Sequence, residues 1–234
     1  MFKDIKAVLY YLFLDHRSSI LIFWSIFIGS ILAILTITMA ADTSVMVVLP
    51  SLPILIFCGI AGFVMVKESL PFCIKMGMTR KSFLTSVFLF NMLLAIGISI
   101  IQAFVNELFR LVIDITSTQV KIFSTIEATT MNPTWYNQLL FDSILCFFLL
   151  SAGLLLGSIF YRTGLIGGAI AIAFLFGLLL FSTTRDWLVE LFVTINDSFQ
   201  VTPNLGIILV LAVLTVIPTW LLLRKASTIS YNVR

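Results

Sequence analysis

The sequence predicts an all-α membrane protein whose chain crosses the bilayer six times. Of its 234 residues, 60% are hydrophobic and only 11% are charged, whereas about a quarter of a soluble chain is charged. Several segments are nearly free of charge and long enough to cross about 30 Å of hydrocarbon. Lys and Arg are also concentrated in alternate connections between these segments, as is typical of polytopic membrane proteins. We therefore expect one membrane domain covering residues 1–234, with no segment left for a separate soluble unit.

Six apolar segments have the length of a membrane-spanning helix, roughly 17–25 residues. Pro50 and Pro53 fall near the start of the second segment, where a missing backbone N–H is tolerated. Pro218 predicts a kink in the sixth, and the short connection at 162–164 makes the fourth and fifth antiparallel neighbours. The predicted spans are Ile20–Ala41, Val45–Val66, Phe83–Phe109, Leu139–Tyr161, Leu165–Phe181 and Leu205–Leu223.

The distribution of positive charge predicts the orientation of the chain. Eleven of the fourteen Lys and Arg residues fall on one side of the predicted spans, and only Arg110, Lys121 and Arg185 fall on the other. Cytoplasmic loops carry an excess of Lys and Arg. Both termini are therefore expected in the cytoplasm, in a multi-pass protein of the plasma membrane whose basic residues contact anionic lipid.

Three segments outside the spans carry patterns of their own. Apolar residues recur at helical spacing in residues 1–18, which predicts an interfacial helix before a turn at 16–19. The alternative is a simple N-terminal extension of the first span. Residues 182–203 carry an amphipathic pattern that predicts a short outer helix. The connection at 110–134 is long for an outer loop, and the sequence assigns it no role.

The connection at 67–82 has more internal pattern than a simple solvated loop needs. It predicts a short helix around Ser69–Met76, a break at Gly77 and an N-cap at Thr79 for the third span. Apolar residues at Leu70, Pro71, Phe72 and Met76 would enter the groove of a partner protein. The alternative is a loop that only orients the chain by its charge. The residues assigned to this coupling loop are Glu68, Ser69, Leu70, Pro71, Phe72, Met76, Gly77, Thr79, Arg80 and Lys81, with Lys75 beside them.

Few polar residues occur inside the predicted spans, and these are candidates for a translocation path because ionisable and polar groups in membranes are costly. A carrier driven by protons or ions would need several acids at mid-depth, and the spans hold none there. The candidate path residues are Asn91, Gln102, Asn106, Glu107 and Asp142.

Sequence patterns for catalysis are absent. The only histidine is His16, and no metal-binding, nucleophile-elbow or phosphate-loop pattern occurs. The three cysteines are widely spaced in or beside apolar segments, so they predict neither a metal site nor a disulfide framework. Gly153-x-x-x-Gly157 and Gly164-x-x-x-Gly168 predict close helix packing. We expect a non-enzymatic membrane protein that binds no metal, cofactor or nucleic acid.

The layout and the loop together resemble the permease subunits of ABC-2 type exporters. The loop reads Leu70-Pro-Phe-Cys-Ile-Lys-Met-Gly-Met-Thr-Arg-Lys-Ser-Phe83, and it is similar to a loop found in small six-span permeases of this group from Gram-positive bacteria. The resemblance implies an interfacial helix before the first span, a coupling helix between the second and third, and outer helices before the sixth. It also implies a second permease subunit, identical or related, and cytoplasmic ATPases that use ATP and Mg.

A transporter without a fuel-binding motif must take its energy from a partner. The resemblance therefore predicts a bacterial permease that forms the path for an amphipathic or peptide-like cargo and is driven by a separate ATPase. The competing interpretation is a membrane-embedded binding, sensory or immunity protein that acts without an ATPase. The sequence selects neither the cargo nor the composition of a permease pair.

Overall fold

The computed structural model describes residues 2–41, 46–116, 120–195 and 201–224, and within them the chain is mostly helical. Five stretches are long and apolar enough to cross a membrane: α1, α2, α3, α4 and the pair α6–α7. In chain order the elements are α1 (Phe2–Ala41), β1 (Met46–Val48), α2 (Ser51–Lys75), α3 (Arg80–Thr116), β2 (Val120–Ile122), a 3₁₀ turn (Thr125–Ala128), α4 (Trp135–Leu180), α5 (Ser182–Phe192), β3 (Val193–Ile195), β4 (Val201–Pro203), α6 (Leu205–Leu214) and α7 (Val216–Arg224).

The first helix is longer than the sequence predicts. Residues 2–41 form one helix without a break, so the predicted interfacial helix at 1–18 is not a separate element and the turn at 16–19 is absent. The stretch from Phe2 to Ile28 contains no Gly or Pro that would interrupt helical hydrogen bonding. A 40-residue helix is about 60 Å long, roughly twice the hydrocarbon thickness. The N-terminal part of α1 therefore extends the first span, which was the alternative prediction.

The fourth helix is divided by a glycine. A straight helix of 46 residues would be about 69 Å long, but Gly164 has φ +76° and ψ −173°, a conformation open mainly to glycine. Gly168 lies directly against the ring of Phe160, a contact that residues eight positions apart could not make in a straight helix. The chain therefore changes direction at Gly164, where the sequence placed the connection between two spans.

The closest helix contact in the structure is between α2 and α4. A methyl group built on Gly153 would overlap the carbonyl of Gly59, and one built on Gly157 would overlap the carbonyl of Phe63. From the first contact to the second, the position moves four residues toward the C-terminus in α4 and also four residues toward the C-terminus in α2. The two helices therefore run in the same direction. The predicted packing role of Gly153 and Gly157 is confirmed, because only the absence of a side chain lets the two backbones approach this closely.

Buried apolar residues form two clusters along the bundle. One lies around the connection between α2 and α3 and includes Leu12, Leu70 and Phe83. The other extends toward β2 and includes Trp24 and Phe109. We call these two ends of the bundle the hairpin end and the strand end.

The described residues are mostly helical, in agreement with the predicted fold class, and the strand end adds two short strand pairs that the sequence did not predict. β1 pairs in parallel with β2, β3 pairs antiparallel with β4, and Thr129 bridges to Val201. The predicted second span, Val45–Val66, therefore begins in a strand, and its helix starts only at Ser51 and continues to Lys75. Of the predicted outer helix at 182–203, Ser182–Phe192 is helical, whereas Val193–Ile195 and Val201–Pro203 are strands. The connection at 110–134 contains the end of α3, β2 and the 3₁₀ turn. The predicted turn at 42–44 lies outside the described residues.

The last predicted span is interrupted near its proline. α6 ends at Leu214, four residues before Pro218, and α7 begins at Val216. A proline lacks the backbone N–H and clashes with the carbonyl four residues earlier, here that of Leu214. The interruption therefore lies where the proline predicts it.

Substituting Gly153 by alanine tests the packing of α2 on α4. The added methyl group would meet backbone atoms of Gly59, which cannot move aside as a side chain can. We expect G153A to destabilise the protein by about 1–3 kcal/mol, measured as thermal unfolding in detergent by tryptophan fluorescence.

The matched control is G97A in α3, where a built methyl group meets no atom within 4 Å. Replacing a glycine inside an open helix by alanine should leave stability unchanged or raise it by about 0.5–1 kcal/mol. Equal losses in both variants would contradict the proposed backbone contact.

Candidate functional site

The connection between α2 and α3 is a tight helical hairpin. The N–H of Gly77 donates to the carbonyl of Ile74 at 3.0 Å, and the N–H of Met78 donates to that of Cys73 at 3.1 Å. This is a Schellman motif, which requires a residue with positive φ at the position of Gly77, and Gly77 has φ +83°. The N–H of Ser82 then donates to Oγ1 of Thr79 at 3.2 Å. The predicted break at Gly77 and the predicted N-cap at Thr79 are confirmed.

The predicted coupling helix is not a separate element. α2 continues through Pro71 to Lys75, so residues 69–75 are the last turns of a membrane helix. Ser69 is completely buried and Leu70 is 1% exposed. These two side chains pack inside the bundle and cannot contact a partner, which corrects the assignment of Leu70 as a docking residue.

The N-terminal part of α1 packs on the same hairpin. The rings of Tyr11 and Phe72 stack with centroids 4.5 Å apart and an interplanar angle of 15°. Oγ of Ser69 donates a hydrogen bond of 3.1 Å to Oδ2 of Asp15, and Leu12 is fully buried against the hairpin cluster. The surface of the hairpin is therefore shared between α2 and α1.

Two arginines join the hairpin end to the last helix. Nη1 of Arg80 donates to the carbonyls of Leu223 and Arg224, which lie at the end of α7, where helical carbonyls have no internal partner. Nη1 of Arg162 reaches the carbonyl of Leu221 at 3.4 Å. Both contacts lie at the end of the bundle that holds the hairpin.

The remaining residues of the coupling loop form an exposed surface. Met76 is 70% exposed and Phe72 is 41% exposed, and Pro71 is half-buried beside them. Lys75, Lys81, Glu68, Gly77 and Thr79 are exposed, while Arg80 is partly buried. The hairpin therefore presents apolar and basic groups outward on a base that is fixed inside the bundle.

The strand end holds a buried chain of polar side chains. Nε2 of Gln102 donates to Oγ of Ser51 at 2.8 Å, and Oγ1 of Thr125 donates to Oδ1 of Asp142 at 2.7 Å. The hydroxyls of Ser51 and Thr125 are 3.4 Å apart. Because Thr125 has one proton and gives it to the carboxylate, Ser51 is the donor between the two. The donors thus run in one direction and end on Asp142.

Four elements contribute to this chain: α3, α2, the 3₁₀ turn and α4. Gln102 and Asp142 are 1% and 2% exposed. A buried carboxylate is expensive unless it accepts hydrogen bonds. Thr125 supplies one such bond to Oδ1, while Oδ2 has no hydrogen-bond partner among the described residues. The chain therefore connects the ends of three membrane helices and the 3₁₀ turn to one carboxyl group.

The other candidate path residues lie apart from this chain. Asn106 is buried at the strand end, and its Nδ2 has no hydrogen-bond partner among the described residues. Asn91 is also buried, without a partner for either amide atom in the described ranges, and eleven residues of helix place it about 16 Å from Gln102. Glu107 is exposed on α3. The structure therefore brings Gln102 and Asp142 into one network and leaves Asn91 and Glu107 outside it.

Sequence reasoning missed Ser51, Thr125, Tyr11 and Asp15. Ser51 follows Pro50 at a predicted helix start, and Thr125 lies in a connection to which no role was assigned. Serine and threonine are common at helix starts and in connections, so the sequence does not single out these two. Their part in the polar chain is seen only from their contacts. The role of Tyr11 is likewise visible only in the structure, where its ring stacks on Phe72.

Within the described residues, no three His, Cys, Asp or Glu side chains are grouped closely enough to hold a metal ion. No protein-family model, curated protein or solved structure matches the chain. The arrangement at the two ends of the bundle is therefore the basis for any proposal about function.

Chemical cross-linking tests the docking of α1 on the hairpin. In a background without the native cysteines, we expect the pair Tyr11→Cys and Phe72→Cys to be joined efficiently by a short bifunctional thiol reagent. The cross-link should appear as a mobility shift after proteolysis between the two sites. The matched pair is Tyr10→Cys with Phe72→Cys, because Tyr10 is 67% exposed and lies about 100° from Tyr11 around the helix axis. Equal yields for the two pairs would contradict the observed docking.

Removing the hydroxyl of Thr125 tests the polar chain. The substitution Thr125→Val leaves the buried carboxylate of Asp142 without its donor, and we expect a loss of about 1–3 kcal/mol in the free energy of unfolding. Chemical unfolding in mixed micelles would measure it.

Thr116→Val is the control, because Thr116 is exposed and donates only to the carbonyl of Val112 in its own helix. This variant should stay within about 0.5 kcal/mol of the native protein. A Thr125→Val protein as stable as the control would show that the polar chain contributes nothing to the fold.

Proposed function

We propose that the chain is the permease subunit of an ATP-driven exporter, with six crossings and both termini in the cytoplasm. The observation that carries the proposal is the hairpin between α2 and α3. It is exposed at its tip and immobilised at its base by contacts with α1 and α7. A surface of this kind can receive a partner and transmit its movement to the bundle.

The count of six crossings treats the kink at Gly164 as the connection between two spans. The parallel arrangement of α2 and α4 supports this count, because helices separated by one intervening crossing run in the same direction. The orientation is supported by Arg80, Arg162 and Arg224, which meet at the end of the bundle that also holds the hairpin. Basic residues collected at one end indicate the cytoplasmic face.

The proposed coupling surface differs from the sequence-based one. It consists of Phe72, Met76 and Lys75 on α2. Apolar side chains surrounded by charge are typical of docking sites between proteins. Leu70 lies beneath this surface and holds it in place.

Force applied to this surface has a direct route into the bundle. The hairpin is a continuation of both α2 and α3, its base contains Ser69 bonded to α1, and Arg80 is bonded to α7. A tilt of the hairpin would therefore move four helices as a unit. At the opposite end, the chain from Gln102 to Asp142 is a polar lining that such a movement could open.

The partners in this proposal are cytoplasmic ABC ATPase subunits, which use ATP and Mg, and a second permease subunit. The chain itself contributes no catalytic residue. The cargo is amphipathic or peptide-like, because the spans are predominantly apolar and their polar positions are few. The resemblance of residues 70–83 to the loop of ABC-2 permeases supports the same proposal.

Co-purification tests the coupling surface. We expect the tagged full-length chain to retain an ATP-hydrolysing subunit when extracted from its native membranes in mild detergent. The double substitution Phe72→Asp and Met76→Asp should reduce both the retained subunit and the ATP hydrolysis about tenfold or more, because it places two charges in an apolar contact. Because Phe72 also stacks on Tyr11, the single substitution Met76→Asp is measured beside the double variant. Met76 is 70% exposed, so this variant should unfold at the same temperature as the native protein and still lose the partner.

The matched control is Ile115→Asp at the strand end, where Ile115 is 85% exposed. It should retain the ATPase. If the native chain carries no ATP-hydrolysing partner and its cellular role persists without one, the competing function as a binding, sensory or immunity protein is favoured. Retention of the partner by the Phe72/Met76 variant would place the docking surface elsewhere.

A further inference from the structure

A basic cleft lies between the first turn of α3 and the last turn of α7. It has a volume of about 390 Å³ and is lined by Thr79, Arg80, Lys81, Trp220 and Arg224. Three of these five residues are cations and none is acidic. Lys81 and Arg224 are exposed, whereas Arg80 is partly buried.

The position of Arg80 in the cleft is fixed by the fold. Its Nη1 is held by the last carbonyls of α7, from Leu223 and Arg224, so its charge cannot swing into solvent as that of a free surface arginine does. Arg224 in turn lies over the ring of Trp220, 5.3 Å from its centroid. Two of the three cations are therefore preorganised, which lowers the entropic cost of binding an anion.

The start of α3 adds to the positive potential. The side chain of Thr79 accepts a hydrogen bond from the N–H of Ser82 alone. The N–H groups of Arg80 and Lys81 belong to the first turn of the helix, where no helical carbonyl four residues earlier is present to accept from them. The N-terminal end of a helix also carries a partial positive charge. Cations and free N–H donors together form a site for phosphate, which accepts hydrogen bonds from both.

The surroundings of the cleft indicate that its phosphate belongs to a lipid. Leu89 and Met92 follow Lys81 along α3 and are exposed, and Ile217 and Leu221 are exposed on α7 beside Trp220. These apolar side chains continue from the cleft along the two helices. A tryptophan at such a boundary is typical of the level of the lipid headgroups.

We propose that the basic cleft binds the phosphate of an anionic phospholipid headgroup, and that the acyl chains lie along α3 and α7. Arg80, Lys81 and Arg224 neutralise the phosphate. This binding requires no ATPase, so it can be tested independently of the function proposed above.

Native mass spectrometry of the purified full-length protein tests the proposal. The probes are phosphatidylglycerol and phosphatidylcholine with identical acyl chains, and inorganic phosphate in a separate arm. We expect preferential retention of phosphatidylglycerol. The double variant Lys81→Gln and Arg224→Gln should weaken its binding about 25-fold, since each juxtamembrane cation contributes roughly fivefold.

The control is Lys67→Gln with Lys75→Gln, which removes two exposed cations of α2 outside the cleft. It should leave binding nearly unchanged, and thermal unfolding should be the same for both double variants. An equal loss in the control would overturn the proposal in favour of diffuse attraction. Equal retention of the two lipids, or displacement of phosphatidylglycerol by millimolar inorganic phosphate, would overturn the assignment to a lipid headgroup.

Discussion

The arrangement of the bundle depends on the direct backbone contact between α2 and α4. Apolar helices gain little from meeting each other in lipid, because the acyl chains are as apolar as their side chains. Close approach is favourable only where small residues allow many van der Waals contacts at once. Gly153 and Gly157 provide this along α4, and Gly62, which lies against the carbonyl of Leu150, provides it along α2. The resulting register sets the position of both ends of α2.

At one end, this register places Ser51 beside the first turns of α4. Ser51 lies about 12 Å before Gly59 along α2, and Asp142 lies about 16 Å before Gly153 along α4. Both polar groups therefore lie toward the same end of the bundle. Thr125 closes the gap between them. The hydroxyl of Thr125 is already oriented toward Oδ1 of Asp142, which lowers the cost of burying this carboxyl group.

At the other end, α2 passes beyond the packed region and forms the hairpin with α3. Much of what could be predicted there follows from local rules: Gly77 ends a helix because it accepts positive φ, and Thr79 begins one because its hydroxyl accepts a backbone N–H. Local rules do not say which face of the hairpin is buried. Leu70 was predicted to face a partner, yet α1 and α3 cover it, because α1 continues through residues 16–19 without a break.

The amino-acid sequence determined the membrane-spanning character, the positions of most helices, the helix break at Gly77 and the close packing at Gly153, because these depend on hydropathy, backbone conformation and side-chain size within a few residues. Only the tertiary structure decided which polar residues meet. Gln102 and Asp142 are forty residues apart and are joined through Ser51 and Thr125, whereas Asn91 and Glu107 look equally suitable in the sequence and lie outside the network. The physical reason is that a hydrogen bond requires contact within about 3 Å, and contacts between distant segments are set by the packing of whole helices.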